Sequence, residues 1–131
     1  MQRKSFTMME LLVVIIVIGI LSTLGISHYG SFRERTLDRE AQANLRLIVA
    51  GEKIYRMENS TQSYYASANI TDINFNLKLL LNSGASRVWD YATTGNNTAC
   101  CGRAVRFNGP DSRSWRLRCA EADPVANGAC P

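Results

Sequence analysis

The sequence predicts an α+β chain. A long N-terminal α-helix, with an apolar transmembrane half and an amphipathic half, packs against a small, disulfide-bonded C-terminal antiparallel β-sheet. Three observations predict it. Residues 6–26, FTMMELLVVIIVIGILSTLGI, are almost wholly apolar, and a run of about 20 such residues can cross a bilayer as a helix. Residues 27–59 turn polar but keep apolar side chains mostly three or four apart, which marks one buried helix face. Beyond residue 88 the period falls to two, and Cys100, Cys101, Cys119 and Cys130 all lie in this C-terminal part.

The apolar stretch comes first. Its Val and Ile content suits a helix in lipid, where helical hydrogen bonding satisfies every backbone group. Arg3 and Lys4 precede it with no acid nearby, so the first residues should stay cytoplasmic. Glu10 is its one ionisable residue. A carboxylate in hydrocarbon costs a few kcal/mol or more and marks a function with a partner charge. A secretory signal peptide would have an apolar core of about 7–15 residues and a small-residue cleavage site. Ser22, Gly25 and Ser27 supply small residues, but the run is long and Glu10 sits where a signal core should be cleanest. An ordinary uncleaved anchor, carrying a membrane-held binding protein, leaves Glu10 unexplained.

Lys4-Ser5-Phe6-Thr7, then Glu10-Leu11-Leu12-Val13-Val14, and Gly19 within the apolar run together resemble the type IV pilin and type II secretion pseudopilin family. The resemblance is close over residues 6–26 and looser to about residue 59. It implies a leader of residues 1–5, cut between Ser5 and Phe6 by a prepilin peptidase that also N-methylates Phe6. It implies a filament-core helix over 6–26, its amphipathic continuation over 27–59 and a globular head over 60–131. Phe6 and Glu10 would serve assembly into a homopolymeric filament, driven by an inner-membrane platform and its ATPase. The subunit would wait in the inner membrane and end in a periplasmic or cell-surface filament. A secretion pseudopilin is the alternative within the family. Ser5 stands where the family usually has Gly before the cut, and Ser27 where many members have Pro.

In the second half of the helix, Phe32, Leu37, Ala41, Leu45, Ile48 and Tyr55 form the expected buried stripe. Glu52 and Arg56 are placed to pair at i, i+4. Polar residues 59–63 end the helix, and Tyr64-Tyr65 lies either at the surface or over the core edge. Thr71 or Asp72 is the expected N-cap of a short helix over 73–81 that buries Leu77, Leu80 and Leu81, with residues 82–84 as its stop. Residues 88–93, 103–107 and 115–119 alternate as strands, and the turn-rich 108–114 joins the last two as a hairpin. Val105, Phe107, Trp115, Leu117 and Cys119 should face the helix, with Arg106, Arg116 and Arg118 opposite.

An even cysteine count downstream of an export element reads as disulfides in an oxidising compartment. Adjacent Cys100 and Cys101 would strain a ring between themselves, so each should pair with Cys119 or Cys130, the hairpin register favouring Cys101–Cys119. With a single histidine, His28, and no CxxC, a zinc site is not supported. No nucleophile has a base partner and no Gly-rich loop leads from strand to helix, so the sequence supports neither an enzyme nor a cofactor. Asp111, Glu121 and Asp123 match no calcium loop and read as solvated acids. Asn59, Asn69 and Asn96 each begin an N-x-S/T triplet, a pattern that arises readily in Asn- and Thr-rich loops. Removing Arg3 and Lys4 from 15 bases leaves 13 against 11 acids, too mild a balance to argue for nucleic acid. Arg103, Arg106, Arg113, Arg116 and Arg118, with Trp115 or Tyr91 nearby, are the residues a DNA contact would use; a solvated sheet face protected against edge pairing is the better reading.

Overall fold

The computed structural model describes residues 6–109 and 111–130 and, among these, the side chains of all but 24–28. The first helix, α1, runs from Met8 to Glu58. The chain divides into two compact units at Thr36/Leu37, the second holding the head and the α1 residues beneath it.

In the first unit α1 is a bare helix. Its large apolar side chains from Phe6 to Leu21 are between 48% and 88% exposed. Ser22 and Thr23 turn their hydroxyls onto the carbonyls of Ile18 and Gly19, at 2.8 and 2.9 Å, so neither leaves an unpaired polar group on the apolar surface. Among the described residues no helix is long and apolar enough to cross a membrane, so the predicted transmembrane half of α1 is not supported there.

In the second unit the predicted stripe largely holds. Ala41, Leu45 and Ile48 are fully buried, with Leu37 and Tyr55 at the margin. Phe32 lies before the division and is exposed. Against the stripe packs a four-stranded antiparallel sheet in simple sequence order: β1 (Trp89–Gly95), β2 (Cys100–Arg106), β3 (Ser114–Arg118) and β4 (Val125–Ala126). The predicted hairpin is β2–β3, paired from Val105↔Ser114 to Cys101↔Arg118. β4, two residues long, gave no periodic signal.

The faces of β2 differ from expectation. Leu117 and Trp115 face the helix as predicted, and they lie opposite Gly102 and Ala104. Val105 and Phe107 therefore belong to the other parity, and Arg106 sits across from Trp89 with its guanidinium 5.4 Å from the ring centre. The cause is close approach. A Cβ on Gly102 would lie 3.2 Å from Leu45 and 3.3 Å from Ile48, so the strand under the helix needs its smallest residues there. Two side-chain bonds lock the layers: Trp89 Nε1–H donates to the Leu37 carbonyl at 3.0 Å, and Asn44 donates to the Tyr91 hydroxyl at 2.8 Å.

The short helix α2 spans Ile70–Asn76, earlier than the predicted 73–81. Asn69 is its N-cap, accepting from the Thr71 N–H. It stops early because Lys78 turns left-handed (φ 53°) and Asn74 bridges forward to both the N–H and the carbonyl of Leu81. Leu77 and Leu81 are buried as expected, but Leu80 points fully into solvent. Gly51 admits Leu77 against α1: a Cβ there would meet the Leu77 Cβ at 3.2 Å.

Both disulfides form, as Cys100–Cys119 and Cys101–Cys130, so the favoured Cys101–Cys119 pairing is corrected. Cys101 faces Arg118 in the ladder, and the next pair along an antiparallel hairpin is Cys100 and Cys119. Their Cα atoms are 5.3 Å apart, and the Cys119 N–H bonds the Cys100 carbonyl at 3.0 Å. Cys101, on the opposite parity, takes the tail through Cys130.

Candidate assembly surface

Ser5 and the bond to Phe6 lie outside the described residues, as does the His28 side chain. Phe6 and Glu10 are described, and both are exposed. Around them Thr7 and Glu10 form a reciprocal N-terminal cap. The Thr7 N–H and hydroxyl each reach Glu10 Oε2 at 3.4 Å, and the Glu10 N–H reaches Thr7 Oγ1 at 3.3 Å. This is the S/T-x-x-E capping box, in which each side chain serves the other's backbone. Thr7-Met-Met-Glu10 spells the pattern, so the cap was readable in the sequence although Glu10 there stood out only as a lone acid. The acid thus has a local partner, at distances near the outer limit for a hydrogen bond. Beyond it the exposed apolar surface continues along α1 to Leu21.

The sequence-marked groups of the head are mostly engaged with one another. Arg113 pairs with Asp111 at 2.7 Å and with Asp38 of α1 at 3.1 Å; against the lowering effect of burial, Asp38 and then Asp111 together hold its guanidinium proton more tightly than usual. Arg116 pairs with Glu121 at 3.1 Å; Glu121 also accepts the Arg118 N–H, and its carboxyl is pulled below the ordinary range by that bond first and by Arg116 with it. Asp123 pairs with Arg46 at 2.8 Å. The three acids weighed for calcium are thus each paired with an arginine. Of the five arginines weighed for DNA, Arg103 and Arg118 are exposed, while Arg113 and Arg116 are held by carboxylates and Arg106 packs at Trp89. Arg103 lies directly across from Arg116, with Arg118 two residues along the same outer face, whereas Arg106 has the opposite parity and Arg113 lies beyond the strand, at Asp38 and Asp111. The N-x-S/T asparagines are also employed: Asn59 and Asn96 accept backbone N–H groups two residues on, and Asn69 caps α2.

The predicted Glu52–Arg56 pair is absent. Arg56 turns to the Gln62 carbonyl at 3.0 Å and to the Tyr64 hydroxyl at 3.1 Å, with its guanidinium over the Tyr64 ring. Glu52 faces inward at 1% exposure and accepts the Tyr65 N–H through Oε2 at 2.8 Å. Its signal was present: residues 41, 45, 48 and 52 step by four, three and four, so Glu52 lies on the buried stripe. Burial pushes its carboxyl up to about 7, against the lowering effect of the Tyr65 N–H and the Thr93 hydroxyl. Tyr65, whose place was open, packs at the core edge with its ring 5.4 Å from that of Tyr55.

Comparison with known proteins adds one relation. The Type IV major pilin protein PilA of Myxococcus xanthus (strain DK1622) is 30% identical over 66 residues, which cover 50% of this chain and 30% of that protein. The chain therefore spans about 30% of the length of this curated relative, and the match supports a pilin-like family. No family model matches the chain. No solved structure matches it.

Proposed function

We propose that the chain is the structural subunit of a type IV pilus-like filament and polymerises through its N-terminal helix. The observation that carries the reading is the apolar surface of α1 from Phe6 to Leu21, exposed along its length in a chain similar to a major pilin. Apolar area of that extent stays in water only at a cost of about 25 cal/mol per Å². Before assembly the inner membrane would cover it, and afterwards the same segments of neighbouring subunits would. Bilayer residence rests on the apolar run of residues 6–26 in the sequence. The head, stapled by its own disulfides, would remain outside the filament core.

The chemistry begins at the leader. Hydrolysis of the Ser5–Phe6 bond by a prepilin peptidase gives Phe6 a positive amine, which the same enzyme methylates. At the growing end, Glu10 of one subunit lies in an apolar groove, and an incoming subunit brings its Phe6 amine to that carboxylate. In a low-dielectric site the pair attracts strongly, and either charge left alone costs several kcal/mol. The Thr7–Glu10 contacts are long enough to yield to such a partner. The charge pair sets axial register while apolar burial supplies cohesion. The Ser5 leader is tested by intact-mass measurement in cells that hold a prepilin peptidase. Loss of residues 1–5 with one added methyl is expected; a chain that keeps its leader, or begins near residue 28, would contradict the reading. Ser5→Gly should speed cleavage.

A further inference from the structure

Neither the filament reading nor the packing of the sheet requires the placement of Glu52. It sits among Ile48, Val49 and the connection between α1 and α2, almost sealed from water. Its Oε2 holds the Tyr65 N–H, while Oε1 has no hydrogen-bond partner of good geometry. The connection it grips does a second job at the free edge of β1. Ser67 and Thr93 exchange both backbone hydrogen bonds, at 3.0 and 2.7 Å, and the Tyr64 N–H bonds the Asn96 carbonyl at 3.2 Å. The segment thus stands in for a fifth strand, covering an edge that would otherwise be open to pairing.

We propose that Glu52 is a pH-sensitive latch: protonated, it holds the 62–67 connection on α1 and over the β1 edge, and on ionising it releases that connection and uncovers the edge. The ionisable groups around it bring no compensating charge. On its own helix Lys53 is exposed, Tyr55 packs its ring tilted against that of Tyr65, and Arg56 is committed to Gln62 and Tyr64. The connection brings Tyr64 and Tyr65, and β1 brings Tyr91, bonded to Asn44, and Asp90, paired with Arg87. On β2, Arg103 is exposed, and Glu58 is taken by Lys78 at 3.0 Å. No cation among the described residues forms an ion pair with Glu52. A buried carboxylate without a cation favours its neutral form.

The sign follows from the direction of the shift. A carboxyl raised from 4.5 to about 7 in the folded head binds its proton more tightly there than in the unfolded chain. Its contribution to stability is full below about pH 4.5, drains away as pH rises toward 7, and stays lost above that. Charge on Oε2 strengthens the single N–H bond to Tyr65, but that gain is smaller than the cost of desolvating the ion, because burial is the larger influence on this group.

The test uses the full-length chain in detergent micelles, with amide exchange followed at the Ser67 and Thr93 N–H groups and corrected for intrinsic rate. In the wild type, protection at both should fall by on the order of tenfold or more between pH 5 and pH 8, while Glu52→Gln, which keeps the shape and cannot ionise, should show no such fall. A carbon-13 carboxyl titration of wild-type Glu52 gives a second readout that needs no variant and should have its midpoint well above the ordinary carboxylate range. Thr93→Val, which removes the nearby hydroxyl, should move that midpoint higher still. Protection that is flat with pH in the wild type, the same fall in Glu52→Gln, or an ordinary titration midpoint would each overturn the latch.

Discussion

At the scale of single residues, the chain assigns double duty to Glu10 and a steric duty to Gly102. Glu10 caps its own helix with Thr7, and in the proposed filament it takes the next subunit's amine. The two duties separate by mutation. Thr7→Ala removes the cap and should cost about 1 kcal/mol of local helix stability, yet filaments should form because the acid remains. Loss of filaments from Thr7→Ala, with leader cleavage intact, would mean that the cap and not the charge is what assembly needs. Gly102 lies where a Cβ would press on Leu45 and Ile48. Gly102→Val should therefore destabilise the head by roughly 1–3 kcal/mol despite the better strand propensity of valine. Urea unfolding monitored at Trp89 would read it, and a midpoint equal to wild type would show that the helix–strand approach is not tight.

At the scale of elements, what was legible depended on whether one partner dominated an element's pattern. α1 was legible because its stripe of Ala41, Leu45 and Ile48 repeats against a single sheet. β2 was misread because the helix lies so close that Gly102 and Ala104 form its inner face, leaving the larger Val105 and Phe107 to mimic a core pattern on the other parity. α2 was displaced because a side chain, Asn74, terminates it through Leu81, and no periodicity records such a bond. Glu52 has both the i, i+4 spacing for Arg56 and a place on the buried stripe, and burial with the Tyr65 N–H as partner prevails. The disulfides also belong to this scale. Non-reducing peptide mapping of envelope protein should recover Cys100 with Cys119 and Cys101 with Cys130. Replacing Cys101 and Cys130 together by Ser should cost about 2–4 kcal/mol and speed proteolysis within residues 120–130, where β4 has only Trp115 and Arg116 to pair with. Cys101 found with Cys119, or four free thiols, would refute the register as drawn.

At the scale of the whole molecule, the two units divide the work. The head solves its own folding problem with a buried helix face, a four-stranded sheet and two disulfides. The first unit exposes its large apolar side chains from Phe6 to Leu21, the surface that other copies or a membrane would cover in the proposed filament. Within one subunit glutamine would still satisfy the capping box and would forgo only the favourable interaction of a carboxylate with the helix N-terminus, about 0.3–1 kcal/mol. In the proposed filament the charge has its larger role between subunits. The most direct test is electron microscopy of cells whose single copy of the chain carries Glu10→Gln. The account predicts normal expression, membrane insertion and leader cleavage, with filaments abolished or sharply reduced relative to wild type. Filaments in normal yield from Glu10→Gln would contradict it.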